Sequence, residues 1–167
     1  MLFFLHNFHL IASYQCHYNY NNIYSFYLAS KYLSDSYVID SDVVLFKNIF
    51  LDKPVFSTYY TIIRPESDEL EWNPVINKNG IVTDIIISSR HLPSLLGVSF
   101  WNQDDSKKIL AELEKYNNLD ILKNSRLYWD NIPMSLLDSM EIRVRELSIS
   151  EAYEMDNIMH YEFISNM

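Results

Sequence analysis

Glycine occurs only twice in 167 residues, at Gly80 and Gly97. Neither G-x-G-x-x-G nor G-x-x-x-x-G-K-[ST] can be written with those two positions, so no glycine-rich loop of this chain cradles a phosphate. Each glycine marks a β feature instead. Asn79-Gly80 lies between Val75-Ile76 and Ile81-Val82. Asn-Gly between apolar runs predicts a tight hairpin with positive φ at both turn residues. Gly97 lies inside a strand-like run, residues 95–101, where a missing Cβ admits close approach of another segment.

The rest of the pattern interleaves helices with strands. Residues 21–33 predict a helix, with Ile23, Phe26, Tyr27 and Leu33 near one face and Asn21 or Asn22 as its cap. Tyr37-Val38-Ile39 is a short apolar run ending at Asp40-Ser41-Asp42, which suits a strand buried on both faces of a parallel sheet. Ligands bind beyond the carboxyl ends of such strands. Residues 56–64 read as a strand rich in β-branched and aromatic side chains. Residues 104–116 read as a helix, with Ile109, Leu110 and Leu113 in a stripe and Asp104 and Asp105 at its favoured end. A short helix begins near Pro133, residues 141–147 alternate as an exposed strand does, and residues 153–156 end another strand. Asn157 caps a last helix. The class is α/β, and the hairpin makes the sheet mixed.

Charge narrows the partners. Thirteen basic and 22 acidic residues leave a formal charge of −9, which argues against nucleic acid, where basic residues supply most of the affinity. Nucleotides stay open, because a divalent cation joins carboxylates to phosphates. Cys16 is the only cysteine, so no internal disulfide forms, which fits a reducing cytoplasm. Residues 1–12 carry no basic lead for a signal peptide and are too few to span a bilayer, which takes about 20 residues. They predict a helix or strand at a domain edge, with no membrane partner. His6, His9 and His17 lack a zinc spacing, and His91 and His160 are isolated.

Three acidic places could carry chemistry. Asp40 and Asp42 point the same way if the strand continues, and two strand-end carboxylates suit Mg²⁺; a solvated turn is the commoner origin of such a pattern. Tyr128-Trp129-Asp130-Asn131 puts two rings beside an acid, which suits a quaternary ammonium or a packed core edge. Glu154-Met155-Asp156 repeats the paired-acid spacing before a helix that would also favour acids at its start. Trp72 follows Glu71 in an expected loop, as a ligand wall or as packing.

Taken in order, six segments resemble the bacterial CTP:phosphocholine cytidylyltransferases. They are residues 20–25, 36–42, 45–48, 97–101, 127–131 and 153–156, within a match covering residues 19–162. The resemblance implies a partial Rossmann-like nucleotidyltransferase fold with a mixed, mainly parallel sheet. It divides the chain into an atypical N-terminal segment, 1–18, and the central and C-terminal part of the domain, 19–167. It implies transfer of CMP from CTP to phosphocholine with Mg²⁺, giving CDP-choline and pyrophosphate. Asp42, Glu154 and Asp156 match that family's metal ligands, and Trp72, Tyr128, Trp129 and Asp130 match its choline region. The family's Gly-rich, Arg-bearing loop and following Lys have no counterpart before Asn19, so this chain alone is expected to be weakly active or inactive. A sugar-1-phosphate nucleotidyltransferase relative, which calls for polar contacts where Trp72 and Trp129 stand, and a non-catalytic module on the same fold remain alternatives.

Overall fold

A computed structural model of the chain describes residues 2–6, 9–13, 22–124 and 126–167. Cys16 and His17 lie outside the described residues. In chain order the elements are β1 Leu2–His6, β2 His9–Ser13, α1 Asn22–Ala29, β3 Ser36–Asp40, β4 Val43–Leu45, β5 Thr58–Ile62, β6 Glu71–Ile76, β7 Val82–Ser88 and β8 Ser94–Trp101. There follow α2 Gln103–Leu113, α3 Leu119–Leu122, α4 Asn131–Met134, β9 Arg143–Leu147, β10 Ala152–Glu154 and α5 Ile158–Ser165. No helix among the described residues is long and apolar enough to cross a membrane.

The central sheet has the order β2-β1-β3-β8-β5-β9. Its strands alternate between two cores, as the two-residue period of a strand requires. Val38, Tyr59 and Trp101 pack under α1 and α2 with Ile23, Phe26, Ile109 and Leu113. Their neighbours Tyr37, Ile39, Tyr60 and Phe100 pack on the other face with Leu147, Tyr153 and Phe163. The expected double burial of β3 holds along Ser36–Ile39, and Asp40 at its end is half-buried.

The sheet is mixed, but not mainly parallel. Among its pairings only β5 with β9 is parallel; β1–β2, β1–β3, β3–β8 and β5–β8 are antiparallel. Strands β3, β5 and β9 do run in one direction, which is what the interleaved helices signalled. The hairpin β6–β7 lies between β5 and β8 in the chain, and its reversal returns β8 antiparallel into the gap between β3 and β5. The expected edge element near the start of the sequence is the antiparallel pair β1–β2 beside β3.

Two local expectations change. The turn after β6 is not a two-residue one: Gly80 has φ +74, whereas Asp35 is the only non-glycine with positive φ among the described residues. Asn77 closes a longer turn, its carbonyl accepting from Gly80 N–H and its side chain from the Asn79 and Ile81 amides. Such side-chain acceptors stabilise a turn without left-handed geometry at Asn79. Trp72 lies on β6, not in a loop, because that strand starts at Glu71 and pairs Trp72 with Ile87.

Candidate functional site

A cavity of about 490 Å³ opens beyond the carboxyl end of β3. Its acidic end is built by backbone pairing. Strand β4 pairs antiparallel with β10, setting Val43 opposite Glu154, and the Met155 amide donates to the Asp42 carbonyl at 2.9 Å. Asp42, Glu154 and Asp156 each present a carboxylate oxygen within 4.8 Å of the others. The three acids that sequence placed on two separate strand ends therefore meet.

The donor set fits a hard divalent cation, which takes carboxylate oxygens at about 2.0–2.6 Å. Asp42 Oδ1 is buried with no hydrogen-bond partner, a costly state unless something fills it. Gly97 leaves the required room: its φ is +73, and a Cβ there would lie 2.8 Å from Glu154 Oε1 and 3.1 Å from Asp40 Oδ2. The sheet register between β5 and β8 shifts at this point.

Asp40, Asp42, Glu69, Glu71, Asp130, Glu154 and Asp156 all line the cavity. Burial holds the Asp40 carboxyl well above the usual range, and Asp130 and Asp42 add to the rise. Burial also raises Glu154 well above its ordinary value, against the pull of Arg64 and with the push of Asp156 and Asp40. Asp130 is pushed up to about 7, first by burial, with its own backbone hydrogen bond opposing and Glu154 adding. Asp156 is raised by burial, with Arg64 opposing and Asp42 adding. Burial first, and crowding of like charges second, hold these carboxyls toward their neutral forms.

Arg64 is the counter-charge that sequence missed. It is buried, pairs with Glu154 and, at 3.3 Å, with Glu71, and donates to Ser94 and the Leu95 carbonyl. Nothing at the end of an apolar strand announced it, since its partners come from β6, β8 and β10. His160, isolated in sequence, touches both Glu69 and Asp156. Asp40 was visible as half of an acidic pair, but not as part of the cavity wall.

The aromatic end is assembled from loops and an outlying hairpin. Trp72 meets Tyr128 edge to face at 6.2 Å, and Tyr128 is 43% exposed. The segment before α4 is fixed by side chains: Asn131 Oδ1 accepts from Tyr128 N–H and Asn22 Oδ1 from Trp129 N–H. Asp130 makes no capping bond to α4, so its carboxylate remains for the cavity. Trp129 is 3% exposed, stacks on Phe26 at 4.9 Å and meets Trp101 edge-on. It touches the cavity while packing mainly into the core.

Comparison with known proteins follows this geometry. No family model matches the chain. A choline-phosphate cytidylyltransferase of Haemophilus influenzae is 47% identical over 145 residues, 87% of this chain and 62% of that protein. The Streptococcus pneumoniae protein of the same name is 37% identical over 144 residues, 86% of this chain and 61% of that one. The chain is similar in sequence to the choline-phosphate cytidylyltransferases. It spans about 62% of the length of the curated relatives it matches. The solved structure of the CTP:phosphocholine cytidylyltransferase from Streptococcus pneumoniae superposes with a TM-score of 0.78 at 34% identity, covering 89% of this chain and 64% of that one. The chain thus has the fold of that nucleotidyltransferase over most of its length.

Proposed function

We propose that the chain carries the metal- and acceptor-binding part of a choline-phosphate cytidylyltransferase site. Residues 19–167 would carry that part, after an atypical N-terminal segment, 1–18. The carrying observation is the meeting of Asp42, Glu154 and Asp156 at one end of a cavity whose other wall holds Trp72 and Tyr128. The three carboxylates would hold Mg²⁺, which when bound neutralises phosphate charge and brings two anions together. Trp72 and Tyr128 offer ring faces to a trimethylammonium group, which has no N–H to donate, and Asp130 adds negative charge. Trp129 backs that wall.

In this reading CTP and phosphocholine meet between the two ends. The phosphocholine phosphate is the nucleophile at the α-phosphorus of CTP, and pyrophosphate leaves. The protein's part is placement and charge rather than covalent chemistry. With only Gly80 and Gly97 available, no glycine-rich loop supplies amides to the triphosphate. Turnover by this chain alone should therefore fall far below the common range of about 1–1000 per second.

Calorimetry tests the assignment. CDP-choline should bind in the presence of Mg²⁺ and lose most of its affinity without it, and Asp42→Asn should abolish the difference. Metal-independent binding, or equal binding by Asp42→Asn, would remove the acidic end from the function.

A further inference from the structure

One carboxylate of the acidic end is held indirectly. Asp156 is half-exposed, and its only side-chain contact among the described residues is a long one, Oδ2 at 3.6 Å from His160 Nδ1. Its orientation depends mainly on its backbone, which is held by the Met155–Asp42 bond on one side and by one ring on the other. The Asp156 amide donates to His160 Nδ1 at 3.2 Å. A ring nitrogen that accepts an N–H carries no proton, so in the neutral ring Nε2 carries it. Nε2 then donates to Glu69 Oε2 at 3.1 Å. Glu69 Oε1 accepts from Asn157 Nδ2 at 2.9 Å, while Asn157 Oδ1 caps α5 by accepting from the His160 amide.

The ring itself has little freedom. His160 is 8% exposed and lies edge-on to Tyr153 at 5.6 Å. Tyr153 precedes Glu154 on β10. The imidazole is therefore wedged between the strand carrying one acid and the turn carrying another, with a third segment fastened to its far side. That third segment, residues 64–70, leaves Arg64 at one end and enters β6 and Trp72 at the other. Phe163 and Ile164 of α5 also pack against the core.

We propose that His160 is a positioning residue of the acidic end: by accepting the Asp156 amide and grasping Glu69, it aims the Asp156 carboxylate at Asp42 and Glu154. This rests on the proposed metal site. Residues that orient a metal ligand typically account for 10- to 100-fold in metal affinity. The two ring nitrogens separate the role from bulk packing. His160→Asn retains an acceptor at the place of Nδ1 but cannot reach Glu69. His160→Gln reaches Glu69 but loses the Nδ1 acceptor. His160→Leu loses both.

The test is Mn²⁺ binding to the full chain, read from the free-ion electron paramagnetic resonance signal, with thermal unfolding followed in parallel. His160→Leu and His160→Gln should bind Mn²⁺ about tenfold more weakly or worse, with His160→Asn closer to the parent chain. Equal affinity in folded His160→Leu overturns the proposal. So does a loss that follows the fall in melting temperature rather than the Nδ1 acceptor. Should His160→Leu not fold, Glu69→Ala, on a partly exposed loop residue, replaces it: weaker Mn²⁺ binding supports the clasp, and unchanged binding overturns it. Failure of the parent chain itself to bind Mn²⁺, or equal binding by Asp42→Asn, strikes the metal reading and is distinct from failure of His160 to position it.

Discussion

The two ends of the cavity hold their side chains by different means. At the acidic end Asp42 and Glu154 flank a β4–β10 ladder, so backbone hydrogen bonds set their separation. At the aromatic end Trp72 belongs to the outlying two-stranded sheet β6–β7 and Tyr128 to a turn held by two asparagine side chains. The first end is rigid and electrostatically strained, and the second is well packed only where it touches the core. A site so built fixes its charges by register and leaves its apolar wall adjustable.

The largest effect should come from the one aromatic that belongs to the core. Trp129→Ala removes the stack on Phe26 and the contact with Trp101 and should cost about 3–5 kcal/mol of stability. Tyr128→Ala, at its exposed neighbour, should cost no more than about 0.5 kcal/mol. Denaturant unfolding of both variants measures the contrast. Equal losses would mean that the aromatic end is as rigid as the acidic one.

Gly97→Ala comes next. The new methyl would have to sit against Glu154 and Asp40 at positive φ, for a penalty of about 2 kcal/mol. It should also displace Glu154 and weaken Mn²⁺ binding, while leaving the Trp72–Tyr128 contact in place. Loss of metal with unchanged tryptophan fluorescence would sharpen the distinction between the ends. Full retention of metal binding would show that the acidic end adjusts after all.

The smallest effect concerns protons and belongs to the acidic end. Burial raises Asp40, Glu154 and, to about 7, Asp130. In the unfolded chain these groups ionise near 4. Holding them neutral contributes stability that is complete below that value and is lost as pH rises through the folded values. The metal-free chain should melt at a higher temperature at pH 5 than at pH 8, and Mg²⁺ should raise the melting temperature more at pH 8. A flat profile without metal would mean that Arg64 and solvent already satisfy the folded carboxylates.

How much was readable beforehand varied with the distance over which each feature is decided. Runs 37–39, 95–101 and 104–116 declared two strands and a helix through their apolar patterns and an acidic start, where β3, β8 and α2 lie, and α5 begins after the expected Asn157 cap. The acidic trio was chosen by family resemblance, because spacing alone left Asp40-Ser41-Asp42 as a turn. Arg64 and His160 carried no local signal. Their partners, Glu154 and Glu69, lie 90 and 91 residues away.

Residue order alone was enough for the excluded phosphate loops, the α/β class and a hairpin around Gly80, since each depends on side chains a few positions apart. The folded structure decided the rest: the antiparallel return of β8, the ladder that joins Asp42 to Glu154, the burial of Trp129 beside an exposed Tyr128, and the clasp on Asp156. These depend on which strands lie side by side. Many registers suit the same apolar pattern, and the one that forms is the one that covers both faces of β3 while leaving Gly97 to make room for the carboxylates.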